Sequence, residues 1–501
     1  MRALREVLQD WEAIIGLEIH TELTSLSTKM FCGCKISHDD EPNANVCPVC
    51  LGLPGALPVP NEKAIEAIVM AGIATNCEVM RRSLFYRKQY FYPDMAKNFQ
   101  TTQGPIAFVM HGHLDLEVSG EGASERPDET VMKAADGSYA LPIRILRIHM
   151  EEDAAKMVHV GGAEGRIGGA KESLIDYNRC GTPLIELVTE PDLRTPEEAR
   201  LFIEKLRQTF LALGISDCSL ERGSMRCDGN VSIRRRGTSE LGTKTEMKNL
   251  NSFKSLHDAL AFEICRQAEV LEGGGVVLQE TRHWEPSRRR TVVMRVKERN
   301  DDYRFFPDPD LMPFDLSDEF IERCRARVPE LPDAKRDRYV KTWGLRRREA
   351  ALLAAEPKTA AFFEDVMLVV GAELAQTVAN VMVNLVPGFG DLGVGQVASV
   401  ARLLAADAIT FVQARDVLAA VDGTADDVEQ VVDRLGMRQP ADALASVVDE
   451  VLGRCQEQVR QYQAGNRKVV GFLVGQCMKA SKGSGNPKLF NQLLQERLEE
   501  R

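Results

Sequence analysis

The proline-rich segment YRFFPDPDLMPF (Tyr303 to Phe314) divides the chain into two patterns that call for different architectures. Before it, short stretches alternate apolar and polar residues with period two. In AIIGLEIHTEL, Ile15, Leu17 and Ile19 point one way, and Glu18, His20 and Glu22 the other. LPIRILRIHM, PLIELVTE, MRCDGNVSIRR and TKTEMKNL read as further strands. Two helices interrupt them. Asn61 is placed to cap NEKAIEAIVMAGIATN, and Thr195-Pro196-Glu197-Glu198 opens a second helix with a cap, a first-turn proline and early acids. After the segment the strand patterns vanish and Leu/Ala/Val-rich helices take over. The expectation is an α+β unit followed by an all-α region. Within that region, no acidic residue occurs from Gln458 to Gln495 while six cations do, which marks a small separate tail.

The chain is 501 residues long, enough for several domains. It has no apolar run long enough to span a bilayer, and MRALREVLQDWEA lacks the apolar core of a signal peptide. A cytoplasmic protein with no membrane partner is expected. A net charge of -11 argues against broad, non-specific coating of nucleic acid.

Four of the twelve cysteines lie in FCGCKISHDDEPNANVCPVC. Cys32, Cys34, Cys47 and Cys50 offer two close thiol pairs separated by a loop, the donor set of a closed tetrahedral Zn²⁺ site. Such a site has no open position for water, so a structural clamp is expected. The alternative is four reduced, buried thiols without metal. The loop between the pairs carries Asp39, Asp40 and Glu41 against Lys35, the wrong sign for binding phosphate.

Chemistry is expected on the strands. Glu18 and His20 share a face; RIHMEEDAAK offers His149, Glu151, Glu152 and Asp153; Glu186 lies in PLIELVTEPD; and Asp228 shares a face with Arg226 and Asn230. Any one of these can be an ordinary solvated residue. Their recurrence on separate strands suggests a sheet whose carboxylates hold Mg²⁺, with Arg87, Lys88, Arg226, Lys244 and Lys248 available to phosphates. There is no G-x-x-x-x-G-K-[ST] loop and no G-x-S-x-G elbow, so nucleotide chemistry here would use a sheet and a metal.

GLEIHTEL, the cysteine cluster running into VCPVCLGLPGALPVPN, RKQYFYPD, RIHMEEDAAK, PLIELVTEPD, MRCDGNVSI, TEMKNLNSF and DYRFFPDPDL together resemble the B subunit of the tRNA-dependent amidotransferases (GatB). GFLVGQCMKASKGSGNPKLFNQLL resembles that family's YqeY-like tail. The resemblance implies a glutamine-synthetase-like cradle with a mostly antiparallel sheet at residues 1–305 and its zinc knuckle at 32–50. A helical domain at 306–425 and the YqeY-like tail at 426–501 follow. It implies a carbon–nitrogen ligase with glutamine as amido donor. ATP and Mg²⁺ serve to phosphorylate the side-chain carboxylate of aspartyl-tRNA(Asn) or glutamyl-tRNA(Gln), and ammonia from an amidase (glutaminase) partner, the A subunit, then displaces the phosphate. A small C subunit completes the heterotrimer, and the non-discriminating aminoacyl-tRNA synthetase is a further implied partner.

Carried over by motif, His20, Glu152 and Glu186 are the first choices for Mg²⁺, with Glu18, Glu151 and Asp228 beside them as catalytic acids. Lys88, Arg226, Asn230 and Lys248 are candidates for ATP phosphates or substrate. Strand alternation puts Glu151 and Glu152 on opposite faces without saying which one lines the pocket. Arg467, Lys468, Lys479, Lys482 and Lys488 are the candidate tRNA contacts. Two rival readings are a non-catalytic tRNA-binding scaffold and a stand-alone carboxylate–amine ligase acting on a small molecule.

Overall fold

The computed structural model describes residues 2–37, 39–126, 131–162, 168–296, 303–388, 390–437, 441–481 and 487–499. The chain forms two compact units, Met1–Leu331 and Pro332–Arg501.

The first unit is built on one 12-stranded sheet. Its central strand is β1 (Trp11–Glu22), whose odd-numbered residues Ile15, Leu17 and Ile19 are buried as the alternation predicts. Before the main return strands come β2 (Glu78–Val79), β3 (Arg82–Ser83), β4 (Phe85–Gln89), β5 (Phe99–Gln103) and β6 (Val109–Val118). They are followed by β7 (Tyr139–Glu152), the hairpin β8 (Lys156–Val160) and β9 (Glu172–Asp176), and β10 (Pro183–Thr189). The remaining long strands are β11 (Met225–Arg235), β12 (Thr245–Lys248), β13 (Glu280–Glu285) and β14 (Arg290–Val296). The main order is β14-β13-β12-β11-β1-β10-β7-β5-β4, with β6 also paired to β7. Every pairing is antiparallel except β12 with β13, which the helix Phe253–Glu272 connects. The mostly antiparallel α+β expectation holds.

Helices cover the apolar side. The helix Glu62–Ala74 begins where expected, with the Asn61 side chain accepting from the Lys63 amide at 3.1 Å. Its Gly72 lies so close to Val109 that an added Cβ would stand 2.3 Å from Cγ1, so only glycine lets this helix settle on β6. Thr195 caps the helix Pro196–Leu213 through the Glu198 amide at 3.1 Å.

The first unit continues past the proline-rich segment, because that segment pairs with its strands at two points, one in the large sheet and one in a separate two-stranded sheet. Phe306–Pro307 pairs with β4 and Phe314–Asp315 with β3, and the rings of Phe85, Phe108 and Phe314 pack edge to face. Proline is compatible with such edge positions, where one side of the strand needs no amide donor.

The second unit is helical from Pro332–Trp343 to Pro487–Glu499, as the loss of alternation predicts. It holds two separate apolar cores among the described residues. One gathers residues from Tyr339 to Val432, the other from Leu444 to Leu498.

Candidate active site

The polar face of the sheet carries a row of acids and imidazoles set by strand register. His20 on β1 is opposite Glu186 on β10, and Glu186 is opposite His149 on β7. On the other flank Glu18 is opposite Asp228, and Asn230 is opposite Glu246 on β12. Two donor groups result. His20, Glu151 and Glu186 each offer a ligand atom, all within 4.8 Å of one another, and so do Glu18, Asp228 and Glu246. His20 Nε2 stands 3.1 Å from Glu186 Oε2, and His149 Nε2 bridges Glu151 at 3.1 Å and Glu186 at 3.5 Å. Two carboxylates and one imidazole converging on a point suit a divalent cation that keeps several waters.

The electrostatics of the row reflect crowded acids with interspersed cations. Burial raises the Glu18 carboxyl above its ordinary range, and the charges of Glu186, Glu246 and Asp228 add to the rise. Burial acts the same way on Glu151, but the His149 hydrogen bond and the charges of His149, Lys88 and His20 outweigh it and hold Glu151 well below the usual range. Burial opposes a charged His20, yet the Glu186 hydrogen bond and nearby acids keep its pKa raised. Burial likewise opposes the Lys248 ammonium, and Asp228 at 2.5 Å and Glu246 at 3.4 Å more than compensate.

The other sequence candidates fall around this row. Asn230 donates to Glu18 at 3.2 Å, and Arg226 donates to Asp153 at 2.9 Å. Arg226, Asp228 and Lys248 line a cleft of about 900 Å³, together with Asn249, Asn251, His283 and Met294. Lys88 on β4 is opposite Gln100, which donates to Glu151 at 3.1 Å.

Glu152 goes elsewhere. The structure brings Glu151, and not Glu152, to His20 and Glu186. Glu152 points through the opposite face, where its carboxylate pairs with Lys97 and accepts from the Thr101 amide at 2.9 Å. There it borders a cavity of about 230 Å³ whose far wall includes Phe31, Cys32, Cys50 and Pro54. Cys32, Cys34, Cys47 and Cys50 gather so that their sulfurs lie within 4.8 Å of one another, the arrangement a tetrahedral soft-metal site needs. A hydrogen bond from the Cys32 thiol pulls Cys50 down to about 5, helped by Lys29, while burial pushes Cys34 up to about 11. Four convergent sulfurs of this kind, bound as thiolates, are a donor set that fits Zn²⁺.

Sequence reasoning left His149 and Glu246 out of the ligand set and did not weigh Lys97. The alternation in TEMK could have found Glu246, since it places it on the same face as Lys248. Nothing local pairs Lys97 with Glu152, 55 residues away. In the tail, Arg467, Lys468, Lys479 and Lys488 are exposed, with Lys488 3.1 Å from Asp407. Lys482 lies outside the described residues.

A mostly antiparallel sheet with a row of acids and imidazoles on one face and a four-thiol cluster near its edge characterises this α+β domain. Residues 13–322 match the family model described as the GatB/GatE catalytic domain, and residues 390–498 match the one described as the GatB domain. A curated relative from Moorella thermoacetica is 44% identical over 98% of this chain and 100% of its own length. One from Carboxydothermus hydrogenoformans is 43% identical over 98% of this chain and 99% of its own, and one from Geobacter is 42% identical over the same shares. All three carry the name of the B subunit of aspartyl/glutamyl-tRNA(Asn/Gln) amidotransferase. This chain belongs to the GatB family, the B subunits of the tRNA-dependent amidotransferases. A family of single subunits implies companion subunits, and no described helix is long and apolar enough to cross a membrane.

Proposed function

We propose that this chain uses ATP to phosphorylate the side-chain carboxylate of aspartate or glutamate mischarged on tRNA(Asn) or tRNA(Gln), and passes the acyl phosphate to ammonia. The observation that carries the reading is the acid–imidazole row ending in a cation-lined cleft. A scaffold has no use for two converging donor groups, and the names of the relatives point to aminoacyl-tRNA rather than to a free amino acid.

An ionised carboxylate is a poor electrophile. One of its oxygens attacks the γ-phosphorus, ADP departs, and an acyl phosphate remains. Ammonia then attacks the acyl carbon, the C–O bond to phosphate breaks, and the surplus proton leaves with the phosphate. His20, Glu151 and Glu186 would hold Mg²⁺, with Glu18, Asp228 and Glu246 as a second donor group. Bound there, Mg²⁺ would neutralise phosphate charge and hold ATP oxygens in place. Arg226 and Lys248 bind the phosphates from the cleft, already aimed by Asp153 and Asp228. Asn230 orients Glu18 by its hydrogen bond. Cys32, Cys34, Cys47 and Cys50 would hold Zn²⁺ as a structural clamp on the loop beside Glu152. Ammonia comes from a glutaminase partner, with a further small protein completing the complex and the non-discriminating synthetase delivering the mischarged tRNA. The exposed cations of the tail grip tRNA phosphates without reading bases.

The test is reconstitution with the glutaminase and small partners, supplied with both mischarged tRNAs, with and without ATP. ATP-dependent amide formation that disappears in Glu186→Ala, while the complex still assembles, is expected. Full amidation by Glu186→Ala would favour the scaffold. Amidation of free aspartate by the chain alone would favour the small-molecule ligase.

A further inference from the structure

The acid row does not stop at Glu151. On the same face Gln100 donates to Glu151, Lys88 is the cross-strand neighbour of Gln100, and the Lys88 ammonium lies 5.2 Å over the ring of Tyr303. Tyr303 is held at the sheet edge by its carbonyl, which accepts from the Gln89 amide at 3.0 Å. Its ring meets Phe305 edge on, with centroids 6.3 Å apart. These rings are not core residues: Tyr303 is 44% exposed and Phe305 51%. Beside them Arg304 lies 5.3 Å over Phe91. Half-exposed rings with cations laid on them form the surface that single-stranded nucleic acid uses, where bases stack and the cations meet phosphate.

Resting on the function proposed above, we infer that Tyr303 and Phe305 form a stacking platform for the single-stranded acceptor end of the aminoacyl-tRNA. Transfer of the γ-phosphoryl group needs the nucleotide and the acceptor carboxylate to approach from opposite sides, in line. The cleft lined by Arg226, Asp228 and Lys248 lies at the β11–β12 end of the row and suits the nucleotide. The remaining approach is from the β5–β4 edge, where the platform stands. The amino acid is esterified to the terminal ribose, so a carboxylate brought to the Glu151 end of the row carries the terminal base to the β5–β4 side, where Gln100, Lys88 and Tyr303 follow one another. Lys88 then sits between the stacked base and the metal-capable group, placed for the acceptor carboxylate or the terminal phosphodiester.

The experiment uses the reconstituted complex and an aminoacylated tRNA whose terminal adenosine is replaced by 2-aminopurine riboside. Quenching of its fluorescence on binding is expected with the native chain and with Tyr303→Phe. It should be lost in Tyr303→Ala and weakened in Phe305→Leu, which keeps an apolar side chain but removes the ring. KM for aminoacyl-tRNA should rise about tenfold in Tyr303→Ala, the usual scale for one lost stacking partner, with KM for ATP unchanged. An unchanged KM for aminoacyl-tRNA with quenching intact would overturn the platform. A rise in KM for ATP alone would assign the rings to the nucleotide's base, and loss of complex assembly would assign them to a partner protein; either result also overturns it. Failure of the native complex to amidate at all would instead overturn the underlying function.

Discussion

Glu151 and Glu152 are consecutive on one strand, and each opens onto a different region of the first unit. Glu151 looks onto the acid–imidazole row, where donors converge from five strands and a wide cleft admits solvent. Glu152 looks onto a small cavity beside the thiol cluster, where its charge is spent on Lys97. Both side chains are almost fully buried, at 4% and 1% exposure, so burial does not separate them. What differs is the number of unmet ligand directions. The row collects oxygens and imidazole nitrogens that hydrogen-bond one another and offer three ligand atoms per group, which leaves positions over for the exchangeable ligands of a hard cation. The thiol cluster supplies four donors that leave none.

The sharpest way to break this contrast is to exchange the fates of the two glutamates. Glu151→Gln should lower the amidation rate ~10³-fold or more, by removing a ligand charge from the row, with little change in unfolding free energy. Glu152→Ala should instead leave Lys97 buried without its partner and cost about 3–5 kcal/mol of stability, measured by denaturant unfolding. Equal kinetic and equal stability effects of the two changes would erase the distinction. Cys47→Ser should lower the zinc content and increase amide exchange around residues 32–50, with activity falling only as that loop loosens. A rate loss with zinc and loop order intact would move the thiol cluster into the chemistry. The smallest effect belongs to the tail: Lys479→Ala should weaken tRNA binding a few-fold and reduce its salt slope by about 1. An unchanged salt slope would remove this residue from the interface.

The sequence made the faces of β1 legible because one strand's alternation is a local property. Ile15, Leu17 and Ile19 are buried as their spacing implies, and the caps at Asn61 and Thr195 are equally local. The choice between Glu151 and Glu152 is not local. It depends on whether the polar face of β7 meets Glu186 and Thr102, contributed by strands on both sides. The thiol cluster was legible from spacing alone. Lys97 was hidden because its partner arrives from a strand that follows two more elements. The proline-rich segment marks where long alternating strands end, while short pairings carry the first unit beyond it. Two-residue pairings such as Phe306–Pro307 with β4 are too short to show alternation, so the first unit runs on to Leu331.

The register of β1 also has a consequence for how the protein is made. Its partners are Leu184–Val188 on one side and Met225–Arg235 on the other, so the first long strand to leave the ribosome is among the last to find neighbours. At about 5–20 residues per second, translation leaves it waiting on the order of ten to forty seconds. Ile15, Leu17 and Ile19 spend that interval without a sheet, while the hairpin-like pairing of β4 with β5 can already form. A newborn chain therefore carries the apolar face of β1 without a first neighbour until residue 188 is out and without the second until residue 235 is out. Its yield should depend on chaperone supply and on translation speed between β1 and β11, independently of any residue in the active site.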